Sequence, residues 1–168
     1  HRGQRNWGLG AQSATLARGM LASGISKGSR LGLLMPNNPD FVVAWLAAAR
    51  IGAIIVPINT FYKPRELAFV LHHADIQVLL TTDKLLLNDY LERLETCIPQ
   101  LLEQPDGAAS KPLLLREFPF LRHIYVWGEA DRHWSSSQQQ LFDAAELVDE
   151  EFLAGVEACV CPADLLTI

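Results

Sequence analysis

Residues 30–59 read RLGLLMPNNPDFVVAWLAAARIGAIIVPIN, and this stretch decides the fold. Leu31 to Met35 is almost wholly apolar, the pattern of a strand buried on both faces. The run ends at Pro36-Asn37-Asn38, which are turn residues. Asn38 is placed to cap a helix, with Pro39 at the first helical position and Asp40 in the first turn, where the helix dipole favours a negative charge. Phe41, Val42, Trp45, Leu46 and Ala49 recur at helical spacing and predict the inward face. Gly52 suits the position after the helix, where a positive φ is needed. Ala53 to Val56 is a second apolar run, closed by Pro57, which cannot donate to a sheet ladder. Strand, helix and strand in this order make a right-handed βαβ unit with parallel strands.

The rest of the chain extends the unit. Upstream, Gln12 to Leu21 predicts a helix, broken at Gly24 and at Gly28-Ser29. Downstream, Pro64 opens a helix with Leu67, Val70, Leu71 and Ala74 on one face and Arg65-Glu66 in solvent. Gln77 to Thr82 is a third strand. Asn88 to Leu102 is a helix that Pro99 breaks near Ile98. Gln104 to Pro112 is a loop, and Leu121 to Trp127 a fourth strand ended by Gly128. Glu129 to Gln140 reads as a polar surface loop, Leu141 to Val148 as a short helix, and Asp164 to Ile168 as the start of another strand. The expected fold is α/β: an open, mainly parallel sheet with helices on both faces.

Composition narrows the function. With 49% hydrophobic and 20% charged residues in 168, the chain is globular. A net charge of -5 with scattered Lys and Arg argues against a nucleic-acid surface. No apolar run reaches the roughly 20 residues that span a bilayer. Cys97, Cys159 and Cys161 read as reduced thiols, consistent with a cytoplasmic protein. The first residue is His1 and the last, Ile168, lies in an apolar run, so a longer protein is expected.

Chemical motifs are mostly missing. The turn after the first strand has two prolines and no glycine, so it lacks the backbone amides that cradle a pyrophosphate. There is no glycine-rich phosphate loop ending in Gly-Lys-Ser or Gly-Lys-Thr and no nucleophile elbow. His72 and His73 point about 100° apart on a helix and cannot chelate one ion together. His123, His133 and Asp131-Arg132 have no constellation around them. Trp127 and Trp134 read as packing residues. Glu146, Asp149, Glu150 and Glu151 read as a solvated acidic helix face. No catalytic residue and no metal ligand is assigned.

The run GSRLGLLMPNNPDFVVAWLAAARIGAIIVPINTFYKPRELAFVLHHADIQVLLTTD, Gly28 to Asp83, resembles the N-terminal region of the adenylate-forming enzymes. These include acyl-CoA synthetases, adenylation domains of peptide synthetases and luciferases. The likeness extends to LRHIYVWG (Leu121 to Gly128) and PADLLTI (Pro162 to Ile168). Within the family it is most like the bacterial-type fatty acyl-CoA synthetases. The resemblance implies that residues 1–168 are an N-terminal subdomain of an AMP-dependent synthetase/ligase domain, with the phosphate loop and the C-terminal domain further on. It implies a full-length ligase that uses ATP, Mg2+ and coenzyme A to activate a carboxylic acid, while these residues alone are inactive. It puts Asn59, Thr60 and Phe61 on the wall of a coenzyme A tunnel and Lys84 near the coenzyme's phosphates. Against this stands a plainer reading, in which Asn59-Thr60 only shapes a turn and Lys84 is solvated. A non-catalytic α/β scaffold or interaction module is the alternative for the whole chain. In residues 1–168 alone, the cut edge of the sheet is expected to be exposed or paired with a second copy, giving self-association.

Overall fold

The computed structural model describes residues 8–168. In chain order its elements are α1 (Leu9–Ala22), β1 (Arg30–Leu34), α2 (Pro39–Arg50), β2 (Ile54–Pro57), α3 (Pro64–His73) and β3 (Val78–Thr82). There follow β4 (Lys84–Leu85), β5 (Asn88–Asp89), α4 (Tyr90–Cys97), β6 (His123–Trp127), β7 (Ser136–Ser137), α5 (Gln138–Ala144) and α6 (Glu150–Ala158). β2, β1, β3, β6 and β7 lie side by side in that order, every neighbouring pair parallel. β4 and β5 form a separate antiparallel hairpin. The α/β reading holds, with one apolar core on each face of the sheet. One core joins α1, α2, α5 and α6 to the sheet; the other joins α3 and α4.

The βαβ unit forms as its residues dictate. Asn38 Oδ1 accepts the Phe41 N–H at 2.9 Å, and Pro39 starts α2. At the other end Gly52 takes φ +71°, while the Gly52 and Ala53 amides donate to Ala49 and Ala48. That is a Schellman close. The inward face of α2, however, is only partly the expected one: Phe41 and Trp45 pack against the core as expected. Val43, Ala44, Ala47 and Ala48 are buried, whereas Val42 and Leu46 remain 40% and 39% exposed. The small residues face α1, which packs closely against α2. Every residue from Phe41 to Ala49 is apolar, so periodicity could not choose a face; only alanines allow this approach. Arg50, at the end of α2, ties the layer together through Ser13 Oγ at 3.1 Å and an ion pair with Glu157 of α6.

Several other segments depart from expectation. Pro99 does end a helix at Ile98, but that helix begins at Tyr90, and residues 84–89 form the hairpin instead. Residues 129–140 are not a surface loop. Trp134 is buried with Ser135 and Ser136, and Ser136-Ser137 pairs with β6 as the last strand. Asp149 is not simply part of an acidic face: its carboxylate caps α6 by accepting the Phe152 N–H at 2.7 Å. The outer edge of β2 is not bare. Ile55 N–H donates to Leu166 O at 2.7 Å and Ile168 N–H donates to Ile55 O at 3.1 Å, in parallel register. The strand expected from Asp164 to Ile168 is thus only an isolated bridge at Thr167 against that edge. Among the described residues no helix is long and apolar enough to cross a membrane.

Candidate functional site

A cleft of about 430 Å³ opens at the carboxyl ends of β1 and β2. The turn after β1 supplies Met35, Pro36 and Asn37, α2 supplies Phe41, and the β2–α3 connection supplies Pro57 to Phe61. Ligands of open parallel sheets bind at this end, because the connecting loops and helix starts converge there. The walls mix apolar surface with the side chains of Asn37, Asn59 and Thr60.

The loop after β2 is held from two directions. Asn59 Oδ1 accepts the Phe61 N–H at 2.9 Å, an Asx turn that leaves the Asn59 amide nitrogen as a donor. The Thr60 carbonyl accepts from the Tyr90 hydroxyl at 2.9 Å and from Arg93 Nη1 at 3.0 Å. Asn59 and Thr60 both line this cleft, and Asn59 also shapes its turn. Lys84 is elsewhere. It lies on the β4–β5 hairpin, its side chain is 64% exposed, and Asp89 is its ionic partner at 4.0 Å. It is not part of the cleft wall. Sequence reasoning missed Tyr90 and Arg93, because nothing in a helix sequence tells which loop its polar side chains will reach.

Beside the hairpin, Asp83 fastens the ends of β3 and β6. Its carboxylate accepts the Lys84 N–H at 2.6 Å and the Glu129 N–H at 2.9 Å. Arg132 does have partners, contrary to expectation. It pairs with Glu95 at 2.8 Å and Asp131 at 2.7 Å, and Glu95 also accepts from the buried Trp134 indole at 3.2 Å. This cluster holds α4 to the segment before β7. His73 stacks on Phe69 with ring centroids 3.9 Å apart. Burial pushes the Cys97 thiol up to about 11, and its Sγ donates to Pro64 O; Cys159 and Cys161 are exposed.

The residues present fit the two implied groups unequally. An open cleft with mixed polar and apolar walls and the amide side chains of Asn37 and Asn59 offers contacts of the kind a pantetheine arm, a flexible chain with two amides, can use. The ATP phosphates and Mg2+ do not fit this cleft. The Pro36–Pro39 turn offers few amide donors. Among the described residues no group of three or more His, Cys, Asp or Glu is placed to hold a metal ion.

The chain belongs to the AMP-binding enzyme family, whose profile matches residues 8–156. Among curated relatives, it is 36% identical over 100 residues to acyl-CoA ligase sidI of Aspergillus fumigatus, covering 60% of this chain and 17% of that protein. It is 42% identical over 62 residues to crotonobetaine/carnitine–CoA ligase of Citrobacter koseri, covering 37% of this chain and 12% of that protein. The fold matches the crystal structure of the anthranilate CoA ligase AuaEII with a TM-score of 0.63 and 21% identity, over 80% of this chain and 22% of that one. The chain thus spans less than a quarter of each of these proteins.

Proposed function

We propose that residues 1–168 are the N-terminal subdomain of an ATP-dependent carboxylic acid–CoA ligase, with a fatty acid as the acid by sequence resemblance. The observation that carries this is the family match across residues 8–156, which takes in the whole cleft. In such an enzyme the carboxylate displaces pyrophosphate from ATP to give an acyl-adenylate, and the coenzyme A thiol then displaces AMP. The present residues would act on the acceptor side. Asn59 and Thr60 would line the channel for the pantetheine arm, and Lys84 would meet the coenzyme's phosphates from the hairpin. The phosphate loop, the Mg2+ ligands and the C-terminal domain would come from other parts of the protein. Residues 1–168 alone would then be inactive.

The test is acid-dependent ATP–pyrophosphate exchange and thioester formation by the whole protein, run with short, long and aromatic carboxylates. Exchange and thioester with fatty acids is the expected result. A whole protein inert with every class of acid would leave the scaffold reading instead. Exchange by residues 1–168 alone would overturn the division of labour. Thr60→Ala and Lys84→Ala are expected to raise the coenzyme A KM; an unchanged KM in both would remove these residues from the site.

A further inference from the structure

The two stretches assigned to the coenzyme side, the loop after β2 and the β4–β5 hairpin, share no strand and belong to different sheets. One side chain joins them. Arg93, on α4, donates from Nη1 to Thr60 O at 3.0 Å and to Tyr62 O at 2.9 Å, and from Nη2 to Asn88 Oδ1 at 2.8 Å. Its guanidinium lies over the Tyr90 ring, 4.9 Å from the centroid, and the Tyr90 hydroxyl meets the same Thr60 carbonyl at 2.9 Å. We propose that Arg93 is a positioning residue that fixes the cleft loop and the hairpin relative to each other for binding of coenzyme A. This rests on the acceptor-side reading above.

The chemistry of the group supports it. Between Asn59 and Tyr62 the chain has only local turns, with Tyr62 N–H donating to Asn59 O at 3.1 Å. Local turns hold the loop's shape but not its place. The donors from α4 fix its place together with Tyr62, which packs on the core, and α4 starts directly after the hairpin. A planar guanidinium can address two carbonyls and a side-chain amide at once, and it stacks on an aromatic ring. Lysine is a point donor and can do only part of this. Three of the five Arg93 N–H donors are used on these protein acceptors, and in this proposal it acts through the loop. Without Arg93 the loop must be ordered at the moment of binding, a cost that appears in affinity for the ligand at that wall.

The test compares half-reactions in the whole protein. Arg93→Met is expected to raise the coenzyme A KM about ten-fold. Acid-dependent pyrophosphate exchange should stay within about two-fold, since that half-reaction does not use the acceptor channel. Arg93→Lys should fall between the two. Tyr90→Phe removes one hydrogen bond and leaves the packing, so it should raise the same KM about two- to three-fold even if Arg93→Met folds poorly. Equal losses in both half-reactions would mean a merely structural role and overturn the proposal. So would an unchanged coenzyme A KM in Arg93→Met and Tyr90→Phe while Thr60→Ala and Lys84→Ala raise it; the site reading would then stand. If none of the four variants moves that KM, the acceptor-side reading fails along with this one.

Discussion

At the carboxyl end of β3, the Asp83 carboxylate sits directly against Gly128, which takes φ +122°. A Cβ at Gly128 would overlap that carboxyl group, and the backbone conformation is one that other residues resist. Gly128→Ala is therefore expected to destabilise the protein by about 2–4 kcal/mol in urea unfolding, through clash and strain together. His123, half-buried at the start of β6, offers a pH test. Burial, then the neighbouring Arg122 charge, lowers its pKa below 6.5. The folded imidazole thus stays neutral where the unfolded one takes a proton. Its stabilising contribution is complete above pH 6.5 and is lost as pH falls through the lower folded value. Unfolding at about pH 7.5 and about pH 5 should show this loss, and His123→Gln should reduce it. An identical pH slope in the variant would refute the assignment. At this scale the sequence announced caps and closures: Asn38, Pro39 and Gly52 each do what their chemistry favours. It did not announce Asp83 or Arg93, whose partners are remote in the chain.

Helix α2 shows where pattern reading stops. With no polar residue from Phe41 to Ala49, its periodicity is degenerate, and the larger side chains were the natural guess for the core. The structure buries the small ones because α1 passes close by. The same logic governs Gly19 of α1, where a Cβ would overlap the Leu141 carbonyl oxygen of α5. It follows that Ala47→Leu should cost about 1–3 kcal/mol by overpacking. Leu46→Ala, on the partly exposed side, should cost under about 1 kcal/mol. Equal costs in thermal or urea unfolding would contradict the packing described. The hairpin was missed for a different reason. Its two-residue turn, Leu86-Leu87, carries none of the usual Asn or Gly, and Leu86 adopts φ +56°. The signal for α6, by contrast, was present: Asp149 as cap, acids in the first turn, then Leu153 and Val156 three apart. The polar run before α5 concealed a strand because Trp134 drags its neighbours inward.

For the molecule as a whole, the sheet order β2–β1–β3–β6–β7 places the cleft at one end and leaves β2 at an edge. That edge is met by residues 166–168, through the Leu166 carbonyl and the Ile168 amide. The Ile55 amide should accordingly exchange slowly with solvent, and Leu166→Pro, which reshapes the segment, should speed it about ten-fold or more. Fast exchange in the unaltered protein would mean that the edge is open. The sequence by itself determined the α/β class, the parallel βαβ unit, the cap and close of α2 and the family, because these follow from local periodicity, turn chemistry and ordered motifs. Only the tertiary structure decided which face of α2 is buried, that residues 136–137 form a strand, and that Arg93 links the cleft loop to the hairpin. Those outcomes depend on contacts between residues far apart in the chain, where close approach and hydrogen-bond satisfaction, and not local preference, select the arrangement.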